Sequence, residues 1–233
     1  MERLLKAARL EKAAADASEL TLINRQTLRP LTEEEVYCFR LAACDDQVDR
    51  DNERFTEATL RQLAELYVGR PVLLDHEWSA RSQTARVYAG AVETSDGVQQ
   101  LVLRCYMPRT PQTEPTVTAI ESGILRECSV GCVVQQALCS ICGADQREVL
   151  CEHRPGQAYN GRVCHVDLDG AEDAFEVSLV PVPAQPGAGV IKAKRYGGRD
   201  KAADPRRTVL DWQAEALLAL ETEKYKYNGG MKS

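Results

Sequence analysis

Three side chains of complementary chemistry, a hydroxyl, an imidazole and a carboxylate, lie in or beside segments of strand-like composition: Ser129, His76 and Glu176. A serine hydroxyl becomes a nucleophile when a histidine takes its proton, and a carboxylate can hold that histidine in the required tautomer. Each residue also has a plainer reading. His76 follows Pro71-Val72-Leu73-Leu74 and is flanked by Asp75 and Glu77, so it is a general base, a metal ligand or a surface residue. Ser129 lies within Glu127-Cys128-Ser129-Val130-Gly131-Cys132, either as a nucleophile or as a strand serine satisfied by backbone. Gly131 would let a substrate backbone approach closely, but Glu127 stands where a Gly-x-Ser-x-Gly elbow has its first glycine. Glu176 alternates with Phe175 and Val177 and is either an orienting carboxylate or a solvent-facing one.

A second constellation is made of thiols. The chain has nine cysteines, an odd number, and Cys139, Cys142, Cys151 and Cys164 fall within one short stretch. In a reducing compartment such a cluster points to metal before disulfide. Cys139-Ser140-Ile141-Cys142-Gly143 has the form of a zinc knuckle, in which the glycine lets amides turn toward the sulfurs, and Cys151-Glu152-His153 supplies two further donors. Cys139, Cys142, Cys151 and His153 then form a closed tetrahedral set for structural zinc, with Cys164 or His165 able to replace one ligand. Four protein ligands leave no open position, so such an ion would stabilise the loop and not perform hydrolysis.

The elements that must position these residues are legible to different degrees. Leu and Ala spacing predicts a helix over Glu2 to Ala17. Val36 to Leu41 reads as a strand, followed by an acidic turn through Asp45-Asp46 and Asp49 to Asn52. Thr56 caps a helix carrying Leu60, Leu63, Leu66 and Tyr67 at helical spacing and ending at Gly69. Pro71 to Leu74 is a short strand that delivers His76. Ala85 to Glu93 and Gln99 to Tyr106 are strands joined at Ser95-Asp96-Gly97. Val117 to Ser122 is a short helix closed by Gly123, Ile124 to Val134 a strand, and Phe175 to Val182 another. Lys192 to Ala203 reads as a basic linker and Pro205 to Tyr227 as a tail helix. The count predicts an α+β fold with a β-rich core. The domains are residues 1–30 as helix and lead-in, 31–191 with the insert at about 139–165, and 192–233 as linker and tail.

Composition narrows the functional classes. Hydrophobic residues at 44% and charged residues at 27% are ordinary for a globular protein, and no apolar run approaches the roughly 20 residues that span a bilayer. The amphipathic start lacks the uninterrupted apolar core of a secretory signal, so a cytosolic protein is expected, with no membrane partner. A net charge of −6 argues against nucleic acid as a partner of the whole chain.

Taken in order, four segments resemble the phage prohead protease family, itself related in fold to the herpesvirus assemblins. They are the acidic turn and helix from Cys44 to Tyr67, Gly69 to His76, Gly123 to Gly131, and Phe175-Glu176-Val177-Ser178-Leu179-Val180-Pro181-Val182-Pro183-Ala184. The resemblance covers roughly Val36 to Ile191 and rests on order and spacing, because no single motif is specific. It implies a closed, mostly antiparallel β-barrel surrounded by helices, and a serine endopeptidase with Ser129 as nucleophile, His76 as base and Glu176 as orienting acid. Assemblins use a second histidine as the third member, which leaves His165 as the alternative to Glu176. The substrates implied are the major capsid protein, the scaffold and the protease itself, cleaved inside the immature procapsid in the cytoplasm of the bacterial host. The basic linker is then a zone for self-cleavage, the tail helix a tether to scaffold or capsid, and the protein a homo-oligomer. The knuckle departs from the basic family pattern. The rival reading is a catalytically inactive assembly protein of the same fold, stapled by its zinc knuckle.

Overall fold

The computed structural model describes residues 17–149, 151–183, 185 and 188–195. The helices expected over Glu2 to Ala17 and Pro205 to Tyr227 lie outside the described residues, apart from Ala17, which opens a helix of its own. That helix, α1 (Ala17–Asn24), is followed by β1 (Val36–Asp45), β2 (Glu53–Phe55), α2 (Glu57–Leu66), β3 (Pro71–Leu74), β4 (Ala85–Ser95) and β5 (Val98–Pro108). Then come α3 (Glu114–Glu121), β6 (Cys128–Cys139), the two-residue strands β7 (Ala158–Tyr159) and β8 (Arg162–Val163), β9 (Val166–Leu179) and β10 (Gly189–Arg195). The fold is α+β, with an eight-stranded, mostly antiparallel mixed sheet in the order β10-β1-β5-β4-β3-β9-β2, and β6 paired to β9.

Local chemistry explains the elements that form early in the chain. Thr56 accepts the Thr59 amide at 3.3 Å and starts α2. Leu60, Leu63 and Tyr67 from α2 and the turn after it are fully buried in the main core. Asp96 (φ 51°) and Gly97 (φ 82°) make the tight turn that sets Ser95 opposite Val98. α2 lies so close to β4 that a side chain at Gly90 would collide with the Ala64 carbonyl. β1 is buried on both faces: Tyr37, Phe39 and Leu41 enter the main core, while Val36 and Cys38 join Ile23 of α1, Tyr88 and Tyr106 in a second cluster.

The strand that carries the site is β9. Its whole length pairs antiparallel with β6, from Cys139↔Val166 to Cys128↔Leu179. Along its other edge it accepts two parallel strands, β2 at Val166 to Leu168 and β3 at Val177 to Leu179. The helix α2 bridges those two, so one β-α-β unit and one long antiparallel pair meet on the same strand.

Three expectations need correction. The closed barrel does not form: β10 meets the segment before β6 at a single bridge, Glu127↔Gly189. The residues that would continue that ladder are committed elsewhere, since Ile124 and Leu125 both donate to the Ala119 carbonyl at the end of α3, and Gly123 turns with φ 75°. For the same reason β6 starts at Cys128 and not at Ile124. Finally, β10 extends the sheet to Arg195, so Lys192 and Lys194 pair with Arg40 and Cys38 in place of the expected linker.

Leu63→Ala removes a fully buried side chain from the helix that covers β9 and should cost about 2–5 kcal/mol of unfolding free energy. Urea denaturation checks this, and a change below about 0.5 kcal/mol would mean that α2 does not pack as described.

Candidate active site and metal cluster

His76 is held by strained backbone. Parallel pairing with β9 sets Leu73 opposite Ser178 and Leu74 opposite Leu179, after which the chain passes through two left-handed residues, Asp75 (φ 53°) and His76 (φ 54°). Left-handed backbone costs a residue with a side chain of the order of 1–3 kcal/mol, so neighbouring interactions must hold it. The Asp75 amide donates to the Leu179 carbonyl at 3.0 Å. The His76 amide donates to Ser178 Oγ at 3.1 Å. The imidazole Nδ1 lies 2.8 Å from Glu176 Oε1. Because an ionised carboxylate only accepts, Nδ1 carries the proton and Nε2 is left as the basic nitrogen. The side chain is 40% exposed, so that nitrogen is reachable from outside. Trp78, two residues on, packs edge-on against Phe175 with ring centroids 6.1 Å apart, which anchors the far side of the turn.

Glu176 is not the solvent-facing glutamate that its alternation left open, because it is only 2% exposed. Its second oxygen, Oε2, accepts from Ser178 Oγ at 2.5 Å. A buried carboxylate is tolerated when its oxygens are satisfied, and here each has a partner. Across the ladder Glu176 faces Gly131, where an added Cβ would lie 2.5 Å from Oε1. Gly131 was expected to admit a substrate backbone; the packing instead requires its missing side chain to make room for the carboxylate. Phe175 has no partner in β6, since Gly131 pairs with Glu176 and Cys132 with Ala174. That bulge sits beside the carboxylate it helps to aim.

Ser129 arrives from the opposite edge. It pairs directly with Ser178, so the two side chains share a face of the sheet with Glu176. No hydrogen bond joins the Ser129 hydroxyl to His76 among the described residues. Ser129 lines a cavity of about 210 Å³ together with Cys128, Cys132, Phe55, Asp49 and Glu53, and neither His76 nor Glu176 reaches its wall. The flanking thiols are poor nucleophiles. Burial pushes Cys128 up to about 12 and Cys132 up to about 11, so both are protonated near neutral pH.

His165, the other histidine considered for this site, belongs elsewhere. It precedes β9, about 36 Å of strand away from Glu176, and its Nε2 lies 3.3 Å from Asp167 Oδ1. Ser178 was not singled out in the sequence. The signal for it is the Glu-x-Ser spacing, which on a strand puts both side chains on one face.

The cysteine-rich residues form the connection between β6 and β9. Cys139, Cys142, Cys151 and His153 each offer a donor atom, and these atoms all lie within 4.8 Å of one another. Cys142 Sγ is 3.4 Å from Cys151 Sγ, and Cys151 Sγ is 3.3 Å from His153 Nδ1. Thiolates about 2.3 Å from a central ion stand roughly 3.8 Å apart in a tetrahedron, so the donor set fits a metal ion. Cys164 Sγ lies 3.8 Å from Cys139 Sγ and is the adjacent alternative, whereas His165 is turned to Asp167. Burial raises the Cys139 thiol, but backbone N–H groups of Cys142 and Ile141 outweigh it and bring the thiol down to about 6. Gly143 (φ 74°) makes the turn that the knuckle reading expects to point amides toward the sulfurs.

Gly131→Ala should cost about 1–3 kcal/mol through overpacking against Glu176. The loss should largely vanish when Glu176 is already alanine, and additive losses in a double-mutant cycle measured by urea unfolding would show that the two do not share space.

The chain matches none of the protein-family models, curated proteins or solved structures with which it was compared, so its own geometry carries the functional argument.

Proposed function

We propose that this protein is a serine endopeptidase of the phage prohead protease kind, with Ser129 as nucleophile, His76 as general base and Glu176 as the acid that orients His76. The observation that carries the reading is the bond from His76 Nδ1 to Glu176 Oε1, made at 2.8 Å to a carboxylate that is 2% exposed. A buried carboxylate bonded to the inner nitrogen of a half-exposed imidazole fixes the tautomer that leaves Nε2 free to take a proton. The neighbouring strand supplies a hydroxyl on the same face, and the thiols nearest to it, Cys128 and Cys132, stay protonated.

The reaction is acyl transfer. Ser129 Oγ attacks the scissile carbonyl and its proton passes to His76 Nε2. The imidazolium stays paired with Glu176. The tetrahedral intermediate collapses as His76 gives the proton to the departing amine, and water then releases the acyl group by the same steps. The open contact is between Ser129 and His76, and catalytic hydrogen bonds often tighten only when substrate binds. Substrates of this reading are the major capsid protein, the scaffold and the chain's own basic segment, within an immature procapsid. The missing contact is also the observation that favours the rival, an inactive assembly protein on the same fold.

The metal cluster takes structural zinc in this reading, held by Cys139, Cys142, Cys151 and His153. When bound, the ion supplies a rigid crosslink and no Lewis acid, because four protein ligands close its coordination sphere. Residues 140–165 link two strands paired along their whole length, and a crosslink there reduces the entropy cost of closing so long a connection.

Co-expression with the capsid protein tests the peptidase. Ser129→Ala should abolish processing while the thermal unfolding profile stays that of the wild type; normal processing by that variant would end the proposal. Metal analysis of the purified chain should find about one zinc per chain, unchanged in His76→Ala and lost in Cys142→Ser. Zinc that leaves with His76 would instead assign a catalytic metal.

A further inference from the structure

Ser178 is buried, polar and bonded to both halves of the site, yet the acyl-transfer reading gives it no task. Its hydroxyl donates to Glu176 Oε2 at 2.5 Å. Ser178 Oγ in turn accepts a hydrogen bond from the main-chain amide of His76 at 3.1 Å. Glu176 Oε1 then meets His76 Nδ1 at 2.8 Å. The three contacts make a closed ring: amide of His76 to Ser178, Ser178 to carboxylate, carboxylate to imidazole of His76. Ser178 itself has no exposure to solvent.

We propose that Ser178 is a positioning residue that acts on the catalytic histidine at two points at once, through its backbone and through its carboxylate partner. This rests on the peptidase reading for its catalytic consequence, and on geometry alone for its structural one. A hydroxyl can donate one hydrogen bond and accept others. Here the single donation is spent on Oε2, which fixes the rotation of the carboxylate and turns Oε1 toward Nδ1. The acceptance is spent on the amide of a left-handed residue (φ 54°), the second of two in the turn that the Glu77 amide closes on the Leu74 carbonyl at 3.0 Å. Gly131 closes the remaining side, because a Cβ there would occupy the space of Oε1. Alanine at 178 would release both points together, whereas loss of Glu176 alone would leave the backbone contact in place.

The pairing of Ser178 with Ser129 extends the consequence across the sheet. These two residues are register partners, so the serine that aims the base is the cross-strand neighbour of the serine that the base must deprotonate. One position on β9 thereby relates all three members of the proposed triad: it bonds two of them and faces the third.

The test uses the full chain, with nitrogen-15 in its three histidines, His76 assigned by its loss in His76→Gln. In the wild type the neutral His76 ring should show a protonated Nδ1 with a downfield proton signal. In Ser178→Ala that signal should disappear or the ring should become a mixture of tautomers, while thermal unfolding remains cooperative. If Ser178→Ala fails to fold, Ser178→Cys, of similar size but a weak donor, should show the same change, and Ser178→Thr, which keeps the hydroxyl, should restore the signal. If the wild type cleaves capsid protein, Ser178→Ala should lower kcat about 100-fold with KM within about twofold, and Ser178→Thr should recover most of it. An unchanged His76 spectrum in folded Ser178→Ala or Ser178→Cys would overturn the proposal. An inactive wild type with the expected spectral change would instead remove the peptidase reading and leave the positioning role standing.

Discussion

The buried carboxylate of Glu176 sets the terms for everything around it. Taking an ionised group out of water is costly, and removing one partner of such a group leaves the penalty uncompensated. The fold meets that cost with two donors, Ser178 Oγ on one oxygen and His76 Nδ1 on the other. The second donor is itself placed by two left-handed residues that ordinary backbone preference would not choose. Satisfying the carboxylate and straining the turn are therefore coupled: the imidazole that relieves Glu176 is available only because Asp75 and His76 are held out of their preferred conformation.

Register is what brings the hydroxyl to this arrangement. Ser129 faces Ser178 and Gly131 faces Glu176 only in one alignment of β6 with β9. A slip of one residue would turn Ser129 to the core face and set a side chain against the carboxylate. The far end of the same strand pair carries Cys139 opposite Val166, where the thiol and imidazole donors converge. A metal ion held at that end would restrain, from the opposite end of β6, the alignment that the glycine restrains at this one.

The sequence revealed what local physics decides. Thr56, the Leu60 and Leu63 spacing and the Asp96-Gly97 turn are each specified within a few residues, and the structure has each of them. Cys139, Cys142, Cys151 and His153 were equally readable, since ligand spacing is itself local. The first half of β9 was not. Asp167, Asp169, Asp173 and Gly170 are of types depleted in strands, and it is pairing with β6 and β2 that makes them strand. Glu176 shows a subtler limit. Period-two alternation placed it opposite Val177 correctly, but alternation gives a face and not what covers it, so burial had to come from the fold. Barrel closure failed for a similar reason: the amides of Ile124 and Leu125 had two possible uses, and capping α3 took them.

The central claim is that Ser129 is a nucleophile activated by the imidazole that Glu176 holds. Labelling the full chain with a fluorophosphonate, which phosphonylates only activated serines, addresses it without knowledge of the natural substrate. Peptide mass mapping should place the adduct on Ser129 in the wild type, and the adduct should be lost in His76→Ala and strongly reduced in Glu176→Ala. No adduct on the folded wild type, or an adduct on Ser129 that persists in His76→Ala, would contradict the account.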